Sequence, residues 1–85
     1  MKWFVYIVEC ADGTYYTGWT MDVDYRVRCH NGTGPHDGAK YTRSRRPVTL
    51  VHSEELGSHR AALRRERAIK KMTHEQKRRL IAGEE

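Results

Sequence analysis

The sequence predicts an α+β domain in which a small three-stranded antiparallel sheet is flanked by helices, in the order ββαβαα. Three observations carry that expectation. An unbroken apolar and aromatic run, Trp3-Phe4-Val5-Tyr6-Ile7-Val8, precedes a turn signal at Asp12-Gly13 and a second run over residues 14–19 rich in Thr, Tyr and Trp. Later segments repeat apolar residues three and four apart, each behind a side chain suited to capping a helix. Finally, 85 residues support one modest core, so residues 1–85 are expected to form a single domain. Its core would cover about residues 3–72, with a last helix over about residues 73–82.

Each element has a local reason. Residues 3–8 lack polar alternation, as expected of a central strand buried on both faces. The following hairpin has two possible registers. With a two-residue Asp12-Gly13 loop, Tyr6 and Tyr16 point to opposite faces. With a loop of residues 11–13 and Gly13 left-handed in a bulge, Tyr16 pairs with Val8 and shares a face with Tyr6. Thr20 or Asp22 can cap the first helix, Val23 and Val27 lie on its inner face, and Asn31-Gly32 ends it. Residues 32–47 form a loop punctuated by Gly34, Pro35 and Gly38, with one short helical turn. A third strand over residues 48–51 continues towards Leu56. Ser58 caps a helix reaching about Met72, and Thr73 with Gln76 forms a capping box for the last helix, to about Ala82.

Sixteen Lys and Arg against eleven Asp and Glu give a formal charge of +5. Residues 40–46 hold four cations and no acid, and residues 60–71 hold six cations against Glu66 alone. Such clusters favour a polyanionic partner, nucleic acid, although a merely soluble basic surface has the same composition. Lys40, Arg43, Arg45 and Arg46 are the candidate phosphate contacts. The first apolar run stops at Cys10, too short for a membrane span and without a signal-cleavage site, so a soluble, cytoplasmic protein away from membranes is expected. Cys10 and Cys29 read as reduced thiols rather than a disulfide, and no CxxC or HxH pair suggests zinc.

Five residues stand out for chemistry. Glu66 lies four residues after Ala62 and three before Ile69, inside the inward stripe formed with Leu63 and Met72. A carboxylate there needs compensation, which a metal ion or a neighbouring arginine such as Arg65 can supply. Arg26 and His30 are four apart on the first helix and can converge at the sheet edge, or simply border an amphipathic helix. An arginine binds phosphate bidentately, and an imidazole moves protons near neutral pH. Tyr6 and Tyr16 either fill the core or, in the bulged register, face a common site.

Taken together, these residues resemble the GIY-YIG nuclease domain over about residues 3–72. Tyr6 matches the tyrosine of the first half-motif and Tyr16-Thr17-Gly18 the second. Arg26 and His30 match the helix arginine and the histidine after it, and Glu66 matches the metal-binding glutamate. The compact length and Gly38-Ala39-Lys40-Tyr41-Thr42 are most similar to small stand-alone bacterial members. Phe4-Val5 replaces the glycine and isoleucine of the first half-motif, and the only asparagine is Asn31, not one late in the domain.

The resemblance implies metal-dependent hydrolysis of phosphodiester bonds in DNA, in repair or recombination. Glu66 would hold one Mg²⁺ or Mn²⁺. Tyr6 or Tyr16 would help deprotonate water with help from His30, Arg26 would stabilise the phosphorane, and Gly18 would let the backbone approach phosphate. Two rival readings keep the fold: a nucleic-acid-binding module, and a nuclease subunit that becomes active with a protein partner.

Overall fold

The computed structural model describes residues 1–34 and 36–84; Pro35, part of the loop expectation, and Glu85 lie outside the described residues. The elements are β1 (Trp3–Glu9), β2 (Tyr15–Thr20), α1 (Val23–His30), α2 (Lys40–Arg43), β3 (Thr49–Leu56), α3 (His59–Lys70) and α4 (His74–Ala82). The three strands form one antiparallel sheet in the order β2-β1-β3. The apolar run therefore occupies the central strand, and Val5, Tyr6, Ile7 and Val8 are all buried.

The hairpin adopts the bulged register. Val8 pairs with Tyr16 and Tyr6 with Gly18, while Gly13 takes φ +84° and donates its N–H to Cys10 O at 2.9 Å. Tyr6, Val8, Tyr16 and Gly18 thus share one face, and Val5, Ile7, Thr17 and Trp19 share the other.

The two faces make two cores. Val5 and Ile7 pack with Ala62 and Ile69 of α3 and Leu80 of α4, with Trp3, Trp19 and Met72 around them. On the opposite face Tyr6 and Val8 meet Cys10 and Val48, with Tyr16 and Val27 alongside. Cys10 and Cys29 are both buried and free.

Local chemistry ends the helices where the sequence places the caps. Asp22 accepts from Tyr25 N–H, Ser58 from Ala61 N–H, and Thr73 and Gln76 complete a reciprocal capping box. Asn31 closes α1, and Gly32 follows at φ +77°. The Asn31 side chain also clamps the start of β3, accepting from Val48 N–H at 2.7 Å and donating to Val48 O at 3.0 Å.

Candidate active site

A cleft of about 510 Å³ opens along the edge strand β2. Tyr6, Tyr16, Gly18, Trp19, Asp22, Arg26 and Glu66 all line it. The sheet supplies the two tyrosines, α1 supplies Arg26, and α3, packed on the other face, brings Glu66 to the same opening. Four of the five expected chemical residues therefore meet in one place.

The fifth does not. His30 was expected at the opening beside Arg26, yet it is fully buried and absent from the cleft lining. Its place is behind Tyr6, with Nε2 2.6 Å from the Tyr6 hydroxyl and Nδ1 2.8 Å from Thr42 Oγ1. Phase does not separate the two, since residues four apart share one helix face; His30 is the last residue of α1, one turn further along, where the Tyr6 ring and Thr42 cover it, while Arg26 is only half-buried.

The hydrogen-bond network assigns the His30 tautomer. The Thr42 hydroxyl has one proton, which it donates to Ala39 O at 3.0 Å, so towards His30 it can only accept. His30 must then carry its proton on Nδ1, leaving the Nε2 lone pair to receive the Tyr6 O–H. Burial, with the charges of Arg26 and Arg46 added, pushes the imidazole down to about 4, so it is neutral near pH 7. Burial also pushes the Tyr6 phenol up to about 12, although the Arg26 charge acts the other way. Tyr6 is thus a neutral phenol whose proton is held by a neutral imidazole. Thr42, unnoticed in the sequence beyond its place in a basic loop, completes this chain and is itself fully buried. No local periodicity could have singled it out.

Gly18 lines the cleft. A Cβ there would lie 2.6 Å from Tyr6 Oη and 2.8 Å from its Cζ, so the glycine makes room for the tyrosine ring.

Glu66 is largely buried, with a side-chain exposure of 15%. Its Oε2 lies 3.7 Å from Nζ of the half-exposed Lys70, a contact too long and too exposed to offset much burial. Arg65, the neighbour considered as its partner, clasps Glu54 with Nε at 2.8 Å and a second nitrogen at 3.0 Å. Among the described residues no group of three or more His, Cys, Asp and Glu gathers to hold a metal. A single largely buried carboxylate in an open cleft fits a hard cation that keeps most of its waters, not zinc.

Part of the basic loop is engaged within the fold. Arg45 donates to Asp12 at 3.1 Å and to Tyr41 O at 2.8 Å, with its guanidinium 3.9 Å over the Tyr41 ring. Arg46 donates to His30 O at 2.6 Å and to the Asp37 carboxylate at 2.8 Å. Both are candidate phosphate contacts that remain partly exposed, and both also tie the loop to the hairpin and to α1. Arg43 lies 3.6 Å from Asp37 and is half-exposed, and Lys40 is exposed. No helix among the described residues is long and apolar enough to cross a membrane.

Comparison with known proteins agrees with this geometry. The GIY-YIG catalytic domain matches residues 2–79. A UPF0213 protein of Halobacterium salinarum is 56% identical over 73 residues, covering 86% of this chain and 91% of that protein. One from Syntrophus aciditrophicus is 52% identical over 80 residues, covering 94% and 90%. The solution NMR structure of a UPF0213 protein from Bacillus halodurans superimposes with a TM-score of 0.60 at 41% identity, covering 96% of this chain and 84% of that one. The two half-motif tyrosines on paired strands, the arginine of α1 and the glutamate of α3 are thus set in a chain that belongs to the GIY-YIG family, a nuclease superfamily.

Proposed function

We propose that this protein is a metal-dependent nuclease that hydrolyses phosphodiester bonds in DNA, in repair or recombination. The observation that supports this most is the gathering of Tyr6, Tyr16, Arg26 and Glu66 around one open cleft beside Gly18. Arg26 neutralises the phosphate and stabilises the charge that grows on the phosphorane oxygens. Glu66 holds one Mg²⁺ or Mn²⁺, which when bound acts as a Lewis acid on the phosphoryl group.

Tyr6 is the better placed of the two tyrosines to move a proton. A phenol pushed up to about 12 cannot wait as a tyrosinate. It can act as a relay, its oxygen taking a proton from the attacking water as its own proton passes to His30 Nε2 across 2.6 Å. The imidazolium so formed is opposed first by burial and then by Arg26 and Arg46. An incoming phosphate offsets the Arg26 part, so substrate binding favours the relay. Tyr16 sits beside it, its ring edge-on to His30 and stacked on Tyr41, and shapes the cleft wall. Lys40, next to Tyr41, remains a candidate phosphate contact, with Arg43 beyond it.

The test is cleavage of a panel of linear and branched DNA and RNA with Mg²⁺ or Mn²⁺, beside Glu66→Gln. The variant should lose cleavage while keeping its fold, since it weakens the long Lys70 contact and half-exposed pairs contribute about 1 kcal/mol or less. Cleavage unchanged in Glu66→Gln would reject the metal-ligand role. A wild-type protein that binds nucleic acid but cuts nothing with either metal would favour the binding-module reading.

A further inference from the structure

We propose that the nucleic acid flanking the cleft lies along the outer face of α3, its phosphates meeting Arg60, Arg64, Arg67 and Lys71. This rests on the nucleic-acid reading above and names the surface that carries it.

The four residues recur at intervals of four, three and four, so they form one stripe. At 100° per residue they fall within about 60° of one another and lie about 100–160° from Glu66. Glu66 therefore faces the cleft while the cations face solvent on the outer side of the same helix. All four are exposed. Among the described residues none of them has a carboxylate within ion-pair distance. Several other arginines are paired locally, Arg78 and Arg79 with Glu75, Arg45 with Asp12 and Arg46 with Asp37. The uncompensated charge of α3 is therefore a directed field rather than part of an evenly mixed surface.

Shape and continuity agree with charge. His59, Arg60, Leu63, Arg64 and Arg67 line a shallow groove of about 430 Å³. Trp19 lines the cleft, and its ring packs 4.5 Å from that of His59, at the start of the groove. The cleft wall thus continues through Trp19 and His59 to Arg60. From residue 60 to 71 the helix advances ~16 Å, close to five base-pair steps of B-form DNA at ~3.4 Å each. Guanidinium and ammonium groups at that spacing contact phosphates without reading bases, so the surface positions substrate and leaves choice of cleavage point to the cleft.

The experiment measures binding of a mixed-sequence 20-base-pair DNA duplex by fluorescence anisotropy, in EDTA, across a salt series. The wild type is compared with the triple variant Arg60→Gln, Arg64→Gln, Arg67→Gln, with Arg64→Gln alone, and with Arg78→Gln on α4. The triple variant should flatten the slope of log affinity against log salt by roughly 3, and Arg64→Gln alone by about 1. At 0.1 M salt the triple change should weaken binding by roughly two orders of magnitude. Arg78→Gln should leave the slope unchanged. Glutamine retains helix propensity, and the single variant keeps the test decisive if the triple one unfolds. Wild-type binding with an unchanged slope in Arg64→Gln would overturn the α3 surface and leave the nuclease reading standing. A wild type without salt-dependent binding would overturn both.

Discussion

Replacing Thr42 by valine removes one oxygen and leaves the side-chain volume nearly unchanged, which isolates its hydrogen bond from its packing. The carbonyl of Ala39 loses one donor but still accepts the N–H groups of Thr42 and Arg43, each at 3.1 Å. The consequence falls on His30. Its Nδ1–H, which Thr42 Oγ1 accepts at 2.8 Å, becomes a buried donor with no acceptor, at a cost of about 1–3 kcal/mol. The ring can escape that cost by moving its proton to Nε2, but Nε2 would then present a hydrogen to the Tyr6 oxygen 2.6 Å away and could no longer receive one. The relay is blocked in that tautomer. General acid–base catalysis contributes roughly 10²–10⁴-fold, and a loss within that range is expected in Mg²⁺-dependent cleavage of DNA. Nitrogen chemical shifts of the His30 ring should show protonated Nδ1 in the wild type and a shift towards protonated Nε2 in Thr42→Val. Thr42→Ser restores the oxygen and should restore both cleavage and tautomer. Wild-type cleavage in Thr42→Val with the ring nitrogens unmoved, or failure of serine to rescue, would refute the reasoning.

Further expectations follow from the same geometry. Below pH 6.5 an unfolded histidine takes up a proton that His30, held down to about 4, refuses. The unfolded state then binds more protons, so stability falls between those two values by on the order of 3 kcal/mol, a slope that urea denaturation should detect and His30→Gln should remove. Gly18→Ala places a methyl group 2.6 Å from Tyr6 Oη; displacing the ring should cost about 1–3 kcal/mol and most of the cleavage rate, measured by thermal melting and turnover. Asn31→Ala removes both hydrogen bonds to Val48 and should cost about 2 kcal/mol, lowering the melting temperature by roughly 10 °C.

What the chain reveals without its fold is what neighbouring residues settle among themselves. Asp22, Ser58 and Thr73 each cap a backbone N–H three residues on, a choice made within one turn of helix. Asp12-Gly13 marks the hairpin and narrows it to two registers; in the fold Gly13 is left-handed and selects the one that puts Tyr6 and Tyr16 on one face. The phase of α3 brings Glu66 close to the core. The residue types of the set, two tyrosines, Arg26 and Glu66, were therefore legible in the sequence, while the shared face of the tyrosines waited on which of two registers the hairpin took. Other assignments required partners far away in sequence. His30 meets Tyr6 across 24 residues and Thr42 across 12, and Arg45 reaches Asp12 across 33. Nothing local distinguishes a histidine at the rim of a helix from one turned into the fold, or a free arginine from one bound to a carbonyl. Those differences depend on how α1 and the following loop dock on the sheet, where burial makes an unpaired polar atom costly and so selects its partner. Docking thus turns His30 from a surface base into the buried acceptor of the Tyr6 proton, and leaves Arg60, Arg64, Arg67 and Lys71 exposed along α3.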